Sequence, residues 1–134
     1  MRSVYDAIKS AVSLVPATRT ADATGSVVDT AGYNSAKLVV AAGALDNADN
    51  NETYVVKVQE GNLADGSDAV DVPGLSITLD RVADDNTVKN LRIEGLGTSR
   101  KRYLRAVLNV GGTTPSAAIS AVFELGRAYS EPVQ

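Results

Sequence analysis

Three groups of carboxylates are the first residues whose types and spacing suggest chemistry. Asp46, Asp49 and Glu52 share one polar stretch, Asp65 and Asp68 a second, and Asp80, Asp84 and Asp85 a third. Hard oxygen donors of this kind suit Ca²⁺, and Asp46-Asn47-Ala48-Asp49-Asn50-Asn51-Glu52 has the donor chemistry. It lacks the EF-hand spacing and the central glycine. Asp and Asn are also the residues turns prefer, because their side chains accept hydrogen bonds from nearby backbone N–H groups. Solvated turn carboxylates are therefore expected, with no metal ligand assigned. A carboxylate pair can hydrolyse glycosidic bonds without histidine. Sugar sites are usually lined with aromatics, however, and this chain has one Phe, five Tyr and no Trp.

Gly95-Leu96-Gly97-Thr98-Ser99-Arg100-Lys101 is glycine-rich and ends in basic residues. A single residue separates its glycines and no Gly-Lys-Ser/Thr follows, so it reads as a turn between strands and not as a phosphate cradle. Arg100, Lys101, Arg102 and Arg105 then form the one dense basic cluster in a chain of net charge −3. Three uses fit it. The residues can be solvated strand-edge charges that discourage edge pairing. They can dock on an acidic protein surface, with Tyr103 beside them, since Tyr and Arg are enriched at interface hot spots. They can touch nucleic acid, which the acidic balance and a pI near 4.8 oppose.

The chain has no cysteine and no histidine. Disulfides, thiolate metal sites and a Cys nucleophile are excluded. So are triads and zinc sites that need imidazole, the commonest general base and metal ligand. No catalytic residue, cofactor or metal is assigned, and an enzyme is not expected.

The elements that must carry these residues are mostly strands. A length of 134 residues fits one domain. Apolar residues make up 44%, chiefly Ala, Val and Leu, so the core is thin in aromatics and leaves room for support from partners. Val4, Ile8, Ala11 and Val12 recur at three- and four-residue spacing, which predicts a short helix from Val4 to about Leu14, capped by Ser3 and ended by Pro16. Val4, Tyr5 and Ile8 are its candidate contacts, either with its own domain or, as an arm, with a neighbouring subunit.

Beyond it, strands are expected over Thr24–Thr30, Ala36–Ala42, Thr53–Glu60, Leu75–Leu79, Val88–Glu94, Arg102–Val110 and Ala117–Leu125. Tyr54, Val56 and Val58 share one face of theirs; Leu104, Ala106 and Leu108, and Ile119, Ala121 and Phe123, do the same. The last two strands, joined by Gly111-Gly112-Thr113-Thr114-Pro115, read as an antiparallel hairpin. The expected architecture is an all-β antiparallel β-sandwich or jelly roll of about seven to eight strands with a short N-terminal helix or arm. Residues 1–20 form the arm, 21–126 the sandwich and 127–134 an extended tail.

Several stretches carry a family likeness: Ser13-Leu14-Val15-Pro16-Ala17-Thr18-Arg19-Thr20-Ala21, Val28-Asp29-Thr30-Ala31-Gly32-Tyr33-Asn34-Ser35-Ala36 with its apolar run to Gly43, Val56-Lys57-Val58-Gln59-Glu60, and Lys101-Arg102-Tyr103-Leu104-Arg105 with Ala121-Val122-Phe123-Glu124-Leu125-Gly126. Together they resemble the small head decoration, or cement, proteins of tailed bacteriophages. The resemblance implies a virion structural protein on the outer surface of a capsid built from an HK97-like major capsid protein, clamping neighbouring subunits. It implies a jelly-roll-like body and self-association as a dimer or trimer. It supplies no contact residues. The candidates Val4, Tyr5, Ile8, Arg100, Lys101, Arg102, Tyr103 and Arg105 come from the arm and the basic strand.

The expected partners are therefore the major capsid protein and the chain itself, with no nucleic acid and no membrane. No apolar run approaches the roughly 20 residues of a membrane span, and Met1-Arg2-Ser3-Val4-Tyr5-Asp6 is too polar for a signal peptide. Synthesis in the host cytoplasm and residence in the virion follow. Two other readings stay open. One is a tail-tube or head–tail joining protein, which would form rings. The other is a carbohydrate-binding, calcium-dependent or host-surface-binding module displayed on the particle.

Overall fold

The computed structural model describes residues 3–128. A single-turn helix, α1 (Val4–Ala7), leads into nine strands: β1 (Ile8–Arg19), β2 (Ala23–Thr24), β3 (Val28–Asp29), β4 (Tyr33–Leu45), β5 (Thr53–Gly61), β6 (Val70–Leu79), β7 (Val88–Ile93), β8 (Tyr103–Gly111) and β9 (Ala117–Ala128). All pairings are antiparallel. One sheet runs β1-β9-β4-β7; the other runs β2-β8-β5-β6, with β3 also on β8. β2 and β3 are one strand interrupted at Gly25-Ser26-Val27. Counted so, the two sheets have the interleaved order of a jelly roll.

Period-two patterning builds the core. Leu38, Val40, Ala121, Phe123 and Leu125 face inward from the first sheet; Tyr54, Val56, Val58, Leu104, Ala106 and Leu108 face them from the second. Phe123, the only phenylalanine, and Tyr54 are fully buried. Each buried Leu, Val or Phe contributes about 1.5–3 kcal/mol of burial free energy.

Two sequence expectations are corrected. The helix predicted over Val4–Leu14 stops at Ala7. Ser3 caps it as expected, its hydroxyl accepting from the Asp6 N–H at 3.2 Å, but Ile8 is extended at φ −131°. Residues 8–19 instead form β1, the edge strand that pairs with β9. An isolated helix of that length is marginal; Val12, Val15 and Thr18 favour a strand, and Pro16 is tolerated on an edge at a bulge. The register skips between Val12 and Leu14, and again between Leu14 and Ala17.

The hairpin expected of β8 and β9 is the second correction. β8 pairs with β5, β2 and β3, whereas β9 lies between β1 and β4 in the opposite sheet. Their apolar faces meet across the core, so the segment between them crosses from sheet to sheet. Gly112 permits that crossing at φ +97°. A Cβ there would meet the Asn51 carbonyl oxygen at 2.5 Å.

The C-terminal tail expected from residue 127 overlaps β9, which continues to Ala128. Residues 129–134, like Met1 and Arg2, lie outside the described residues.

Candidate interaction surfaces

The first skip in β1 turns Ser13 inward, where it joins the two sheets. Its hydroxyl donates to the Ser26 carbonyl at 2.8 Å and accepts from the Ala106 N–H at 2.9 Å. Ser26 N–H in turn donates to the Ser13 carbonyl at 2.7 Å. Within the second sheet Thr30 extends the β3–β8 pairing, its N–H and hydroxyl both donating to the Arg102 carbonyl.

At one end of the sandwich the loops are laced by polar contacts. Glu52 is 1% exposed, and its carboxylate accepts from the N–H groups of Asp49 at 2.9 Å and Asn51 at 3.2 Å. Burial pushes its pKa up, but these N–H groups outweigh burial and hold it below the ordinary range. Asp84 accepts from the Asp80 N–H at 2.7 Å and pairs with Lys89 at 3.0 Å; that N–H first, and Lys89 second, depress its pKa. Asp85 accepts from the Leu45 N–H at 2.7 Å. The buried Tyr54 hydroxyl donates to the Asp46 carbonyl at 2.8 Å, and Ser116 N–H lies 3.2 Å from it. These carboxylates are taken up by backbone N–H groups of their own or a neighbouring segment and by Lys89, and no cluster of three acidic residues with metal-holding geometry occurs among the described residues.

The opposite end gathers the sequence-derived contact residues. β1 begins beside the end of β9, which also flanks the start of β4. The β3–β4, β5–β6 and β7–β8 connections emerge at that same end. α1 projects there, with Val4 74% and Tyr5 79% exposed and none of its residues buried. Ile8 is half-buried beside Gly126. On the other sheet stand Arg100 and Lys101, just before β8, and Arg102, Tyr103 and Arg105.

Much of that basic cluster is already engaged. Arg102 makes a two-pronged pair with Asp29, both contacts at 2.8 Å, and lies 5.0 Å from the Tyr103 ring centre. The guanidinium lowers the Asp29 pKa and Asp29 raises that of Arg102. Arg100 lies 3.5 Å from Glu60, whose other oxygen accepts from the Lys101 N–H. Arg105 donates to Gln59, Gln59 to Asp71, and Lys57 to Asp71, each at 2.8 Å, in a network across three strands. Lys57 first, then Gln59, lowers the Asp71 pKa. The Gly95–Ser99 stretch is a tight turn, as expected: the Gly95 carbonyl accepts from the N–H groups of Thr98, Ser99 and Arg100.

The sequence reading missed the outward face of the β1-β9-β4-β7 sheet. Val12, Val122 and Val39 lie side by side across three strands, with Asn90 next on β7. One row away stand Ser10, Glu124, Lys37 and Arg92; on the other side, Ser120, Ala41 and Val88. A depression of about 520 Å³ opens toward the α1 end, over Ser35 and Gly126, walled by Ile8, Lys37, Arg92 and Glu124. The signal was in the run Ala36–Ala42, apolar on both parities apart from Lys37; a strand of that kind is one covered on both faces.

The sequence matches no known protein family and no curated protein. Among solved structures, a chain of Desmodium yellow mottle tymovirus is similar, at 15% identity over 95% of this chain and 88% of that one, with a TM-score of 0.41. A superposition this loose bears on neither family nor function.

Proposed function

We propose that this chain is a non-enzymatic structural component of a virus particle, a cement protein that binds the outside of an HK97-like phage capsid and holds neighbouring major capsid subunits together. The observation that carries the reading is the placement, at the same end of a jelly roll, of an exposed α1 on one sheet and the Arg100–Arg105 segment on the other. The resemblance in the stretches quoted above supports it. Jelly rolls also serve lectin and cupin domains, so the fold by itself selects no function.

With Arg100 and Arg102 paired internally, binding would rest mainly on Val4 and Tyr5 entering an apolar recess between capsid subunits. Tyr103 and Lys101 would sit at the rim. Tyr is a favoured anchor in such recesses. A ligand that binds only the assembled shell stabilises it by mass action at every occupied site.

The test is co-sedimentation with expanded, undecorated HK97-like shells, together with the temperature at which the shells rupture. The protein should bind and raise that temperature. Tyr5→Ala and Val4→Asp should weaken binding about tenfold or more, the loss of an ordinary interface anchor, while leaving the protein's own melting unchanged. Failure to bind or shift rupture would remove the proposal.

A further inference from the structure

We infer that the outward face of the β1-β9-β4-β7 sheet docks on the same face of a second copy, forming a twofold dimer. The face is self-complementary in the order of its charged, apolar and small residues. Glu124 on β9 and Lys37 on β4 stand at the same height, as do Val122 and Val39 one row away. A twofold axis along the strands, between β9 and β4, lays β9 of one copy over β4 of the other. Glu124 then faces Lys37 of the second copy, Val122 faces Val39, and Ser120 faces Ala41, each contact made twice. This is the isologous geometry that closed dimers use.

The side chains around the axis suit close sheet-on-sheet approach. Ser120, Ala41, Ala118 and Gly43 are small, and valines fill the centre. Packed sheets sit about 10 Å apart and cross at about 30°, so the match is tightest in the rows nearest the axis. From Ser35 to Gly43 the face runs roughly 30 Å along the strands and roughly 19 Å across the sheet, so a dimer would bury roughly 1,100 Å² in total, above the roughly 1,000 Å² floor for a biological contact and in the range of the weaker specific ones. The outward face of the other sheet offers no such match. Its Lys57, Gln59, Asp71 and Arg105 already satisfy one another.

The inference does not depend on the capsid reading, and its test needs no shells. Sedimentation equilibrium or native mass spectrometry should find the wild type dimeric. Lys37→Glu makes the pair on each face acidic, and Glu124→Lys makes it basic. Each variant alone should be monomeric at a concentration where the wild type is fully dimeric. An equimolar mixture of the two should form a heterodimer, because the acidic face of one then meets the basic face of the other; a purely intramolecular effect of either change would not be rescued by mixing. Should one single variant fail to fold, the double variant Lys37→Glu, Glu124→Lys decides: it should dimerise with itself and not exchange with wild type. A monomeric wild type, a trimer, or single variants that still dimerise would overturn the inference. So would a monomer that captures shells through Val122, since the face would then belong to the capsid.

Discussion

Ser13 is a small residue with a large share of the fold. Three hydrogen bonds converge on it and join β1 of one sheet to Ser26 and Ala106 of the other. Replacing it with Ala would leave the buried Ala106 N–H without its partner, at a cost of about 1–3 kcal/mol. Ser13→Ala should therefore lower the denaturant midpoint clearly, while Ser10→Ala, on the exposed neighbouring position, should leave it within error. Nothing in the sequence singles out Ser13, because its partners are supplied by segments distant along the chain and its orientation by a bulge. The basic residues show the same limit. Their types were visible, but Asp29 lies 73 residues from Arg102 and Gln59 lies 46 from Arg105. A cluster that looked unpaired in sequence is largely paired in space.

Among the elements, β5, β8 and β9 were legible because one strict alternation fixes one buried face. β1 was not. Val4, Ile8, Ala11 and Val12 satisfy a helical spacing, and only the pairing with β9, more than a hundred residues on, makes the strand win. Local adjacency also misled for β8 and β9, since consecutive strands usually pair but a jelly roll sends them to opposite sheets. The split between α1 and β1 has a measurable consequence. Removing residues 1–7 takes away no buried side chain among the described residues 3–7 and should leave the melting temperature nearly unchanged. Removing residues 1–19 uncovers Leu14's site and the edge of β9, and the product should aggregate or melt far lower. Circular dichroism and light scattering on the two truncations separate the cases. Equal loss in both would show α1 to be part of the fold.

For the whole molecule, acidity is the main lever. Asp29, Asp71, Asp80, Asp84 and Glu52 are all held below their ordinary pKa values by ion pairs or backbone N–H groups. A carboxylate depressed in the folded state contributes stability that is fully present above its unfolded value, near pH 4, and is lost as pH falls through the folded value. With no histidine in the chain, no imidazole titrates between about pH 5 and about pH 8. Unfolding free energy should stay level across that interval and fall below about pH 4. A steep change near pH 6 would contradict this account. The order of strands has one further consequence, in time. β9 is central in its sheet, seated between β1 and β4, yet it is the last of the described strands to be synthesised. Until it emerges, β1 has no sheet partner among the described strands and β4 has only β7, so half the sandwich waits on β9. Folding of this sheet is therefore tied to the arrival of β9, and its β1–β9 contacts join residues about a hundred or more positions apart, which makes closure slow compared with a protein built from local hairpins.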